Sequence, residues 1–143
     1  MPNRRDFDHL VSNRFILEID GVESASFTSL DGIESTTDVI VFNNGNDRKT
    51  RKRPGRTDYS NLVLRRGYTN DNSLWQWYKS VMDGHIERKN GSIVSLGDDN
   101  SEILRYNFFE AWPCRWKGFV LDANKSDVLF EEIEIAIEGI EKG

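Results

Sequence analysis

Hydrophobic and polar residues alternate with a period of two through most of the chain. In RFILEIDG, Phe15, Leu17 and Ile19 share one face while Glu18 and Asp20 lie opposite. That pattern predicts a strand ending in a turn at Asp20 and Gly21. SASFTSLDGIES reads as a short strand and a second Asp-Gly turn at Asp31 and Gly32. TTDVIVF is β-branched and alternating, and predicts another strand. NNGNDRKTRKRPGR follows it with Asn-Gly, Pro-Gly and a charge run, so a long loop is expected over residues 43 to about 57. YSNLVLRRG then resumes as a strand closed by Gly67.

The period changes only in TNDNSLWQWYKSVMDG. Leu74, Trp77, Tyr78 and Val81 form an i, i+3, i+4, i+7 stripe that predicts a helix packed through that face. Asp71, Asn72 and Ser73 offer N-cap side chains, and Gly84 sits where a left-handed residue ends a helix. At about ten residues such a helix must lie across a sheet to be stable. IERKNGSIVSL and EILRYNFFEAW, joined by GDDNS, suggest a hairpin. Pro113 is expected to interrupt the chain before CRWKGFVL. In the tail, Ile133, Ile135 and Ile137 alternate with Glu132, Glu134 and Glu138, so period two outweighs its good helix formers. The expected fold is mainly β: an antiparallel β-sandwich or barrel of about eight strands with one short flanking α-helix.

Composition narrows the chemistry. The 143 residues suit one domain, residues 1–143, with a core that needs no metal or disulfide. No apolar run approaches the roughly 20 residues that cross a bilayer. The N-terminus has no apolar stretch followed by a small-residue cleavage site, so a soluble protein made in the cytoplasm is expected. The single Cys114 reads as a small half-buried hydrophobe. His9 and His85 have no i, i+4 partner or neighbouring cysteine, so no metal site is expected. No carboxylate pair is marked as an acid/base couple, and no phosphate-binding glycine loop precedes the helix. No catalytic residue, metal or cofactor is therefore assigned, and the protein reads as a non-enzyme.

Charge is unevenly distributed. The chain carries −5 overall, yet Arg48, Lys49, Arg51, Lys52, Arg53 and Arg56 fall within one short run. Residues 43–66 hold eight Lys and Arg against two acidic residues, whereas residues 127–143 hold six acidic residues against Lys142. The basic run could neutralise phosphates of a nucleic acid, but it lacks interleaved aromatics and any RNP-like motif. It has no apolar wedge for a membrane surface, so no membrane anchoring by the chain itself is expected. Opposite patches could neutralise within one molecule; on different surfaces they favour head-to-tail contact between identical copies.

The runs RKRPGRTDYSNLVLRRG, NSLWQWYKSVMDG, IERKNGSIVSL and YNFFEAWPCRWKG, in that order over nearly the whole chain, resemble the tail tube family. This is the T-even-like tube family of contractile phages, R-type pyocins and extracellular contractile injection systems. It is similar in fold to the haemolysin-coregulated tube protein of type VI secretion. The resemblance implies a β-barrel-like subunit whose copies close into hexameric rings around a lumen that conducts DNA or protein cargo. It further implies stacking of those rings within a contractile sheath, with baseplate and tail-terminator proteins as further partners. Assembly in the bacterial cytoplasm, as part of a phage tail or a released particle, follows from the same likeness.

On this likeness Arg48, Lys49, Arg51, Lys52, Arg53, Pro54, Gly55 and Arg56 are inter-ring contacts, with Pro54-Gly55 shaping the turn that aims them. Leu74, Trp77, Tyr78 and Val81 are helix packing. Trp112 and Trp116 bracket Pro113 in a packing motif, with Lys117-Gly118 as a turn. Glu132, Glu134 and Glu138 are candidates for a lumen, outer-wall or partner face. Cys114 and the density of the basic run depart from the family pattern. A paralogue that initiates the tube near the baseplate, and a nucleic-acid-binding protein using the basic loop, are the alternatives.

Overall fold

The computed structural model describes residues 14–20, 22–67, 72–118 and 130–143. Among these, ten strands and one helix follow in order: β1 (Arg14–Ile19), β2 (Val22–Phe27), β3 (Ser29–Asp31), β4 (Ser35–Phe42), β5 (Arg51–Tyr59), β6 (Leu62–Gly67), α1 (Ser73–Met82), β7 (Lys89–Leu96), β8 (Glu102–Lys117), β9 (Phe130–Ala136) and β10 (Gly139–Lys142). The predicted turn at Gly21, the possible cap Asp71 and His9 lie outside the described residues.

One antiparallel sheet runs β2-β1-β7-β8-β9-β6-β3, with β10 also paired to β8. Its two ends are contiguous in the chain, because only Thr28 separates β2 from β3. β2 pairs with β1, β3 pairs with β6, and the Thr28 N–H donates to the Arg65 carbonyl at 2.9 Å. The sheet therefore closes into a barrel, with β2 and β3 as the two halves of one bent strand that spans the seam. Alternation supplies the contents. Leu17, Leu64, Phe108, Ile133 and Ile135 turn inward and are buried, each such side chain stabilising the fold by about 1.5–3 kcal/mol.

The 16-residue β8 makes the barrel's corner. Its first half lies between β7 and β10, and its second half pairs with β9. Between the pairs Lys89↔Ala111 and Gly91↔Phe108 it carries one extra residue. Glu110 takes up the bend with φ 54°, and its N–H donates to Asn90 Oδ1 at 3.0 Å. Such bulges let one strand serve two directions of a sheet.

The helix buries Leu74 and Trp77 in the same core, while Tyr78 and Val81 are half-buried beside them. Asn72 stands at the N-cap, but its side chain makes no capping hydrogen bond. The C-terminus matches expectation. Gly84 has φ 86°, its N–H reaches the Val81 carbonyl, and the His85 N–H reaches that of Ser80 at 2.8 Å. That pair of bonds is a Schellman ending.

Two expectations need correction. The stretch over residues 43–57 is not loop throughout, since Arg51–Tyr59 is a strand paired with β4. Its cations are tolerated because every one of them stands in solvent, and Pro54 lies beside a register shift in a sheet of only two strands. Pro113 does not interrupt the chain either. β8 runs through it, with the missing N–H falling beside a bulge and beyond the last β7 pair. The strand count rises to ten because β5 adds a strand, Thr28 splits another and residues 137–138 divide the tail, while β8 merges two across Pro113.

Candidate functional site

The structure sets β4 and β5 apart from the barrel as a two-stranded antiparallel hairpin. Strands of eight and nine residues span about 25–30 Å at ~3.3 Å per residue. Its root is fixed against the barrel. Gly32 holds φ 98° and packs so closely on the Asn61 backbone that a Cβ would overlap the Asn61 carbonyl oxygen. The Ser60 N–H donates to the Glu34 carbonyl at 3.1 Å, and Tyr59 packs against the core. Beyond the root, Thr37 and Thr57 share a hydroxyl hydrogen bond of 2.8 Å across the strands. Residues 43–50 form the tip, organised by Asp47. Its carboxylate accepts from the Lys49 N–H at 3.3 Å and from Arg51 Nε at 2.6 Å, while its own N–H donates to the Asn44 carbonyl.

The hairpin carries the basic run in the open. Arg48, Lys49, Arg51, Lys52, Arg53 and Arg56 are all exposed. Among the described residues, the run's ion pairing is confined to Arg51 with Asp47. β4 adds apolar surface: Val39 is 63% exposed, Val41 57%, Phe42 39% and Ile40 38%. The register sets each beside a cation or a proline: Phe42↔Arg51, Val41↔Lys52, Ile40↔Arg53 and Val39↔Pro54. The Arg53 guanidinium lies 5.7 Å from the Phe42 ring centroid, within cation–π range.

The acidic tail is met largely inside the subunit. Glu132 accepts from Arg65 at 2.7 Å and Arg115 at 3.4 Å, a cation–anion–cation row over β6, β9 and β8. Glu131 pairs with the nearly buried Arg66 at 3.2 Å and accepts the Trp116 indole N–H at 2.8 Å. Glu134 accepts from Asn61 Nδ2 at 2.9 Å, and Glu138 from Arg88 at 2.7 Å. Intramolecular neutralisation thus draws on Arg65, Arg66, Arg88 and Arg115, none of which belongs to the hairpin. Cys114 lies beside Glu134, its Sγ 3.5 Å from the backbone carbonyl. Burial, then the Glu134 carboxylate, pushes its thiol above the ordinary range.

Of the candidate residues, Arg48 through Arg56 gather on the hairpin, and Glu132, Glu134 and Glu138 sit on or after β9. Glu132 is buried and Glu138 exposed. Trp116 packs edge-on against Trp75 of the helix with centroids 4.7 Å apart, and Trp112 is half-buried at the start of the β9 pairing. Lys117 ends β8, with Gly118 just beyond. Sequence reasoning passed over Asp47 and the exposed apolar face of β4. The expected alternation of TTDVIVF needs correction here, since its last four residues, VIVF, are an unbroken apolar run where a half-buried strand would alternate.

The sequence matches the T4-like virus tail tube protein gp19 family over residues 11–141. No curated protein matches it. Among solved structures it resembles a chain of the PVC sheath–tube complex of an extracellular contractile injection system, in the extended state. The TM-score is 0.84 at 24% identity, covering 96% of this chain and 93% of that one. A chain of the tube-terminating cap of the anti-feeding prophage gives 0.85 at 20% identity, covering 99% and 95%. Hcp1 from Flavobacterium johnsoniae gives 0.56 at 21% identity, covering 91% and 94%. At these identities the structural likenesses establish the fold.

Proposed function

We propose that this chain, which belongs to the T4-like virus tail tube protein gp19 family and is a tail tube subunit, acts as one domain whose hairpin joins ring to ring. In this reading hexameric rings stack into a tube inside a contractile sheath, meeting baseplate and terminator proteins at its ends. The lumen conducts DNA or protein cargo, and subunits assemble in the bacterial cytoplasm before serving in a phage tail or an extracellular particle. The part is structural rather than catalytic.

One observation carries the connector role. The hairpin projects from a closed barrel with five exposed cations outside any ion pair among the described residues, while the tail's carboxylates are largely met by other arginines. A structure that stands alone has no use for such an arm. On a second copy it gains both charge pairing and burial of the β4 apolar face. Replacing Arg51, Lys52 and Arg53 together with Ser should leave a folded subunit that no longer builds long tubes under negative-stain microscopy. Tubes of normal length from that variant would contradict the connector role. So would a wild-type protein that never oligomerises but binds DNA with steep salt dependence.

A further inference from the structure

The same hairpin poses a hazard that its charges answer. β4 presents Val39, Ile40, Val41 and Phe42 on a strand with one unpaired edge, and both hairpin faces are exposed. Short β-branched, apolar runs on open edges pair with copies of themselves and aggregate. Natural sequences place charged residues beside such runs to prevent it. Here the charges are opposed residue by residue, Arg51 to Phe42, Lys52 to Val41 and Arg53 to Ile40, and Arg53 reaches back over the Phe42 ring.

We propose that Arg51, Lys52 and Arg53 act as a guard against like pairing, barring the hairpin of one free subunit from the hairpin of another. This rests on the reading that the hairpin is the self-association element, and it adds a rule for which surface of a second copy it rejects. Joined through their β5 edges, two hairpins set their cation rows about 4.8 Å apart, and joined through their β4 edges about 14 Å apart. The first lies inside the ~8 Å screening length at physiological salt and the second inside the ~30 Å length at about 0.01 M, so at low salt the cations oppose both pairings. A carboxylate-bearing surface meets no such barrier. The guard therefore leaves the productive contact open and closes the unproductive one.

The test compares three variants of the full chain at low salt by thioflavin-T fluorescence, with negative-stain microscopy to tell aggregate from tube and circular dichroism as the check on fold. Arg51→Ser/Lys52→Ser/Arg53→Ser should stay folded in the barrel yet show a severalfold rise in thioflavin-T signal over wild type. Arg51→Lys/Arg53→Lys, which keeps the charge, should match wild type. Adding Val39→Thr and Val41→Thr to the Ser variant should return it to dispersal, which locates the aggregation in β4. A Ser variant as dispersed as wild type would overturn the guard, as would failure of the Thr changes to rescue it. The connector reading is judged separately by tube length. A Ser variant that loses tubes but stays dispersed keeps the connector and removes the guard, and one that aggregates yet still builds tubes does the reverse.

Discussion

Cys114 shows how one side chain's surroundings set its chemistry. The thiol is half-buried against Glu134, whose backbone carbonyl and carboxylate both lie within sulfur hydrogen-bonding distance. Burial and the neighbouring negative charge both disfavour a thiolate, so the group stays protonated well into the alkaline range. A protonated thiol is a poor nucleophile. Alkylation by iodoacetamide should accordingly be slow at neutral pH and reach half its maximal rate at a higher pH than in the unfolded chain. The same shift carries a stability consequence. The contribution of the protonated thiol is whole below the unfolded pKa and is lost as the pH climbs through the folded one. Thermal unfolding of wild type should therefore lose ground to Cys114→Ser across the alkaline range, and parallel curves would contradict the shift. A different residue-scale lesson comes from Glu132. Alternation correctly put it on the face opposite Ile133, but that face is not open water, because Arg65 and Arg115 close over it from the strands on either side.

At the scale of elements, the hairpin is held by its root more than by its length. Gly32 is the fulcrum, with a left-handed backbone and no room for a Cβ beside the Asn61 carbonyl. Gly32→Ala should cost about 2 kcal/mol or more, since it combines αL strain with a backbone overlap. It should also shorten tubes by re-aiming β4 and β5, while an unchanged melting temperature and unchanged tubes would show the root to be slack. Elements with a clean period were legible from sequence. The Ile133/Ile135 alternation gave β9, and the Leu74–Trp77–Tyr78–Val81 stripe with Gly84 gave the helix and its end. β5 was not legible, because proline, glycine and dense charge are loop signals almost everywhere. They become compatible with a strand only when both faces are solvated and a partner such as β4 supplies the register. Pro113 misled for a related reason, as its place beside a bulge is a property of the β9 pairing and not of neighbouring residues.

For the whole molecule, closure of the barrel rests on contacts far apart in sequence. The pairing of β3 with β6 and the turn of β8 at Glu110 leave almost no local trace. The charge map had a local trace but an ambiguous meaning until the ion pairs showed which arginines meet the acidic tail. With the barrel closed, unpaired strand edges among the described residues remain on β10, on the outer sides of β2 and β3, and on the projecting hairpin. In the proposed reading, an arm with apolar residues on one strand and cations on the other is completed by the surface of a second copy. The most direct measurement is a cryo-electron microscopy reconstruction of the assembled wild-type protein at side-chain detail. The hairpin should be seated on a second copy in the next ring, its cations opposite carboxylates and Val39 and Val41 covered. Assemblies in which β4 and β5 remain in solvent would contradict the account.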